Sequence, residues 1–166
     1  MEAVGRLYLD TNIFIRAFEG TDELAARIRR LFYGVEGRPL LVTSQLTYAE
    51  AIQKPYAERN DRLIDLYSNW LRTGNNVLDV CPLDPDCLYY AAVLRSTYKS
   101  LKLPDAIHLS TAFGSQCTHF LSDDQRLPND VAMSHHPHGL VRGPMNLIML
   151  RPDRKTVDTL LEMLSP

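Results

Sequence analysis

The sequence predicts an α/β sandwich, a mainly parallel sheet covered by helices, and three observations predict it. Short β-rich apolar runs alternate with longer stretches of helical spacing, and glycine, proline and polar turn residues fall between them. The 166 residues also suit one domain with one internal core.

RLYLD at residues 6–10 is a short strand, and Thr11 and Asn12 turn it into the apolar segment IFIRAF. Leu24, Ile28, Leu31 and Phe32 recur at helical spacing, and Gly34 and Gly37 weaken continuation beyond them. PLLVTS reads as β, and QLTYAEAIQK as a helix starting near Thr43 or Ser44 that Pro55 should end or redirect. RNDRLIDLYSNWLRT carries Leu63, Leu66, Trp70 and Leu71 at helical spacing, and the β-rich VLDVCPL follows Gly74 and Asn75. DPDCLYYAAVLRSTYKSL is helical, and Pro104 and Asp105 open another helix through AIHLSTAF. Gly114 and Ser115 separate it from CTHFLS, a strand ending in the acidic turn SDDQR. VAMSH supplies a further strand and TVDTLLEML a last helix, whereas the prolines and glycines of HPHGLVRGP favour a loop or an appended edge. The expected organisation is a single domain over 1–166 with a less regular C-terminal extension from about 136.

An apolar fraction of 45% and a charged fraction of 23% suit a globular chain better than a disordered one. No apolar stretch reaches membrane-spanning length and MEAVGRLYLD lacks an export signal, so a cytoplasmic location is expected. Cys81, Cys87 and Cys117 cannot all pair within one chain and complete no zinc signature. His135, His136 and His138 form no full zinc pattern either and read as a flexible polar loop. A net charge of −2 gives no general reason to expect nucleic-acid binding, although a local basic groove is compatible with it.

The acids carry the chemistry, and each has two readings. Asp10 either caps a helix or stands at a strand end, in the crevice where open α/β sheets hold ligands. Glu50 either pairs with Lys54 on the surface or is turned to the same sheet end by a helix whose apolar contacts are Ala49 and Ile52. Asp105 either caps the helix after Pro104 or is fixed there as a ligand, with His108 one turn on as a structural histidine or a phosphate contact. Asp123 and Asp124 either form a surface turn or place one carboxylate at the ion, Asp124 being the stronger candidate.

In this order the motifs LYLDTNIFI, TYAEAI, LPDAIHLSTA and HFLSDDQRL resemble the PIN-domain family, over residues 7 to 127. They resemble in particular the small ribonucleases that are toxins of bacterial and archaeal type II toxin–antitoxin systems. The resemblance implies a three-layer α/β/α sandwich and a catalytic set of Asp10, Glu50, Asp105 and Asp124. It also implies metal binding by these four and Asp123, with Asn12, Ser122, His108 and Arg126 as supporting or substrate contacts. SDDQR stands where the family has a TND-like form, so the choice between Asp123 and Asp124 stays open. RNA is the implied substrate, and a cognate antitoxin and a homodimer are the implied partners.

The chemistry follows from charge. Packed carboxylates repel one another unless a cation offsets them, and an oxygen-only set suits Mg2+, with Mn2+ as a substitute. Arg16, Lys99, Lys102, Arg126, Arg142 and Arg151 are phosphate contacts or simply solvated surface. Two other readings compete, an inactive RNA-binding or assembly module of the same fold and a structure-dependent DNA nuclease.

Overall fold

The computed structural model describes residues 4–33, 41–72, 74–136, 140 and 142–164. β1 (Leu7–Leu9) is buried on both faces, with Leu7 and Leu9 in one core cluster and Tyr8 in the other. That alternation follows from the two-residue period of a strand and makes β1 the dividing layer. It pairs in parallel with β2 (Leu41–Ser44) on one side and β4 (His119–Leu121) on the other. β3 (Leu78–Cys81) extends the sheet beyond β2, and β6 (Arg142–Leu150) extends it beyond β4, both in parallel. β5 (Asp130–His135) closes the far edge antiparallel to β6, so the order is β3-β2-β1-β4-β6-β5.

Helices cover both faces, completing the expected three-layer sandwich. On one side lie α5 (Pro85–Thr97) and α6 (Leu103–Gly114), packing Ala91, Leu94, Leu109 and Phe113 with Tyr8 and Phe120. On the other lie α1 (Thr11–Glu19), α2 (Glu23–Leu31), α3 (Gln45–Ala57), α4 (Asp61–Leu71) and α7 (Arg154–Leu164). α1 shows why its sequence is helical. Ile13, Phe14 and Ala17 are buried at i, i+1 and i+4, and the Asp10 side chain accepts from the Thr11 amide at its start. α7 packs on α2, where Asp158 accepts from Arg27.

Three local expectations differ from the structure. Pro55 does not end α3, which runs two residues further. The Pro55 ring is buried, and the bonds from Glu58 N to Lys54 O at 3.0 Å and from Asn60 N to Pro55 O at 2.9 Å carry the helix to its end. His135 is no part of a flexible loop: it ends β5, buried, with Nε2 3.2 Å from the Tyr90 hydroxyl. Arg142 to Leu150, within the tail expected to be less regular, form a nine-residue inner strand. Its Gly143 has φ +107 beside the irregular Met133/His135 register, where an added Cβ would meet Met133 O at 2.5 Å. Gly34, Gly37 and His138 lie outside the described residues. Among the described residues no helix is long and apolar enough to cross a membrane.

Candidate active site

Parallel pairing brings the carboxyl ends of β1, β2 and β4 to one edge of the sheet. Asp10 follows β1, Ser44 ends β2 and leads into α3 with Glu50, and Ser122 follows β4. α6 reaches β4 through the short turn 115–118, whose Thr118 amide bonds Arg6 O at the start of β1. The opposite end of α6, with Asp105 and His108, therefore lies at the edge where Asp10 stands.

Asp10 is the knot of this edge. Its Oδ1 accepts from the Thr11 amide at 2.8 Å, and its Oδ2 from Asn12 Nδ2 at 2.7 Å and from the Ser122 hydroxyl at 2.5 Å. The capping reading of Asp10 holds, and the same side chain also ties the end of β1 to the end of β4. Asn12 also accepts from the Asp123 amide at 3.0 Å, and Ser122 Oγ accepts from the Asp124 amide at 3.1 Å. Asn12 and Ser122 accordingly set the backbone of the acidic turn.

Glu50 makes no pair with Lys54, whose ammonium lies 3.6 Å from Glu19. Its Oε2 instead accepts from Thr11 Oγ1 at 2.5 Å and from His108 Nε2 at 2.9 Å. Burial raises the Glu50 carboxyl pKa, but the hydrogen bonds from His108 and Thr11 outweigh it and hold the group below its usual value. His108 is buried, with Nδ1 2.8 Å from the Tyr8 hydroxyl and Nε2 3.9 Å from Asp10. A Tyr8 hydroxyl that donates to Nδ1 leaves the proton on Nε2, pointed at Glu50. Its surroundings are those of a satisfied internal histidine.

Asp105 lies in the first turn of α6, yet the helix has no side-chain cap bond, so its carboxylate is not spent on capping. Burial raises its pKa first, and the charges of Asp124 and Asp10 raise it further. Asp124 is drawn the other way, to about 2, first by the Arg126 side-chain bonds and against its burial. Arg126 reaches it through Nε at 2.9 Å and Nη2 at 2.5 Å. The Asp123 side chain is exposed.

The fold thus brings Asp10, Asp105 and Asp124 to one edge and links Glu50 to it through Thr11 and His108, while Asp123 is exposed. Among the described residues no three His, Cys, Asp or Glu groups stand as a metal-holding cluster. The cause is visible in the partners: Glu50 is held by Thr11 and His108, and Asp124 by Arg126. The donor set nonetheless fits a hard divalent cation, because it is all oxygen and because the charges of Asp124 and Asp10 bear on Asp105, offset only in part by Arg126 and His108.

Sequence reasoning missed Thr11 and Arg151. Thr11 adjoins Asp10 in the LDTN motif, which was the available signal for it. Arg151, expected to face phosphate or solvent, donates to the carbonyls of Ser122 at 3.2 Å, Asp124 at 2.6 Å and Leu127 at 2.7 Å. It clamps the acidic turn from inside the fold, and no local pattern announces that.

The family model described as PIN domain matches residues 7–131. No curated protein matches the chain. Among solved structures, the VapBC2 complex of Rickettsia felis, bound to a DNA fragment from its promoter, is similar with TM-score 0.54 and 16% identity. The similarity covers 87% of this chain and 97% of that one. The sarcin-ricin-loop-cleaving toxin VapC20 of Mycobacterium tuberculosis is similar with TM-score 0.52 and 16% identity, covering 69% and 86%. A toxin–antitoxin complex from Klebsiella pneumoniae is similar at 24% identity and TM-score 0.48, covering 73% and 88%.

Proposed function

Because this chain belongs to the PIN-domain family, we propose that it is a divalent-metal-dependent endoribonuclease, with Mg2+ as cofactor and Mn2+ as substitute. The observation that supports this reading is the common sheet edge of Asp10, Asp105 and Asp124, where the charges of Asp124 and Asp10 act on Asp105, with Glu50 linked to that edge through Thr11 and His108. These four side chains would hold the cation, with Asp123 as an outer contact. Bound there, a divalent cation lowers the pKa of an attacking water and offsets charge on the phosphate. Asn12 and Ser122 orient Asp10 and the acidic turn, and Arg126 lies at the rim, where phosphate charge arrives. Thr11 and His108 hold Glu50 through its Oε2.

Within this reading the chain is a toxin-like member restrained by a cognate antitoxin, and homodimerisation belongs to the same proposal. The fold likeness to a sarcin-ricin-loop-cleaving toxin supports the toxin-like half. The test is cleavage of structured and single-stranded RNAs with Mg2+ or Mn2+, beside an EDTA control and flapped and single-stranded DNA. Metal-dependent cutting of RNA is expected. Cutting of DNA alone would replace the substrate, and silence on every RNA would leave an RNA-binding or assembly module. Co-purification of a second protein from the native cell tests the antitoxin.

A further inference from the structure

The chain between α5 and α6 runs Tyr98-Lys99-Ser100-Leu101-Lys102, and Arg126, Leu127 and Pro128 of the acidic turn face it across a cavity of about 180 Å³. Leu101 and Leu127, both buried, give it an apolar interior. Tyr98 supplies an aromatic wall, fixed because its hydroxyl donates to Ala132 O at 3.1 Å and accepts from Ala132 N at 2.9 Å. Lys102 puts a cation on the lining, Arg126 stands there paired with Asp124, and Asp105 joins the cavity to the acid site.

Size and charge select the occupant. A cavity of about 180 Å³ is smaller than the roughly 300–1,000 Å³ of sites that enclose a whole small molecule, so it admits one ring-sized group. An aromatic and apolar lining suits the face of a base, and cations beside it suit the backbone phosphate that the base carries. We propose that this cavity seats the base of one nucleotide of the RNA strand, next to the phosphate that is cut, with Lys102 and Arg126 against the strand's charge. The proposal rests on the nuclease reading and adds to it a site for base preference.

The metal-free protein, isotope-labelled for amide NMR, is titrated with AMP, CMP, GMP and UMP and with ribose 5-phosphate. Saturable shifts are expected at Ser100, Leu101, Lys102 and Leu127 with at least one nucleotide, and clearly weaker ones with ribose 5-phosphate. Ser100→Trp, built from an exposed position to fill the cavity, should weaken that binding by about tenfold or more, the scale of losing one base–aromatic stack. Lys102→Ala should weaken nucleotide and ribose 5-phosphate alike. Equal binding of ribose 5-phosphate and nucleotides, or nucleotide binding untouched by Ser100→Trp, overturns the base pocket. In the cleavage assay Ser100→Trp should lower kcat/KM on RNA with an unchanged Mg2+ dependence. Should Ser100→Trp cut RNA as the parent does, with the same flanking preference, the pocket falls and the nuclease stands. Should the parent cut nothing while nucleotides still move these amides, the nuclease reading falls and the pocket stands.

Discussion

Asp10 and Glu50 carry like charge at one edge, but their substitutions should separate. The Asp10 Oδ2 faces two donors, so Asp10→Asn places an amide where two acceptor bonds were made and disturbs the tie between β1 and β4. Glu50→Gln can still accept from Thr11 and His108. Both variants should remain folded by circular dichroism and lose RNA cleavage by at least about 100-fold, with the lower melting temperature in Asp10→Asn. Full activity in both would sink the proposed metal centre. Asp124→Asn should lose more activity than Asp123→Asn, since only Asp124 is drawn inward. The opposite order would exchange their roles. A pH dependence follows from Asp105. A carboxyl with a raised pKa takes up its proton at a higher pH than an ordinary aspartate, so proton and cation compete there as pH falls. Mn2+ affinity by calorimetry should therefore weaken from about pH 7 down towards the carboxylate range. Asp105→Asn should bind more weakly throughout but with a shallower pH slope; an unchanged slope would assign the competing proton elsewhere. Glu50 was placed on its helix by the TYAEAI run, and the positions of Asp10, Asp105 and Asp124 near element ends were legible in sequence because each sits in a short motif beside a breaker or turn. The partners of Glu50 were not, because Thr11 and His108 reach it from elements 39 and 58 residues away.

Elements were read well where period and breakers agreed and poorly where burial overruled them. Pro55 is a breaker by chemistry, yet it falls in the last turn of α3 with its ring buried, so little helix remains for it to interrupt. RGPMNLIML opens on a glycine and a proline and has only a short apolar run, so nothing local marks it as an inner strand. The connection from β4 to β5 depends on Arg151 just past β6, which spans three carbonyls of the acidic turn. Removing it leaves those acceptors without their charged donor. Arg151→Met should destabilise the protein by about 2–4 kcal/mol in urea unfolding, since bonds to charged groups are worth more than neutral ones. Arg151→Lys should restore only part, because an ammonium lacks the planar fork. A stability within experimental error of the parent would show that the turn holds itself.

At the scale of the molecule, gathering several carboxylates before any cation arrives sets folding against function. Carboxylates crowded at one edge repel one another, and a bound ligand returns stability as the logarithm of its concentration over its dissociation constant. Mn2+ at about 100 times its dissociation constant should add about 2.7 kcal/mol, seen as a raised Tm that EDTA reverses and Glu50→Gln largely abolishes. A melting temperature indifferent to metal would remove the proposed ligand set. β6 has a different bearing on the whole. Of the described strands it is the last made during synthesis, yet it lies between β4 and β5 and not at an edge. Until it emerges from the ribosome, β4 offers a row of unpaired amides and carbonyls, and Arg151 has not reached the acidic turn. A chain halted before residue 142 would not be a shorter copy of the same fold. It would be an open sheet able to recruit strands from its neighbours, so premature termination should send the product to inclusion bodies and proteases.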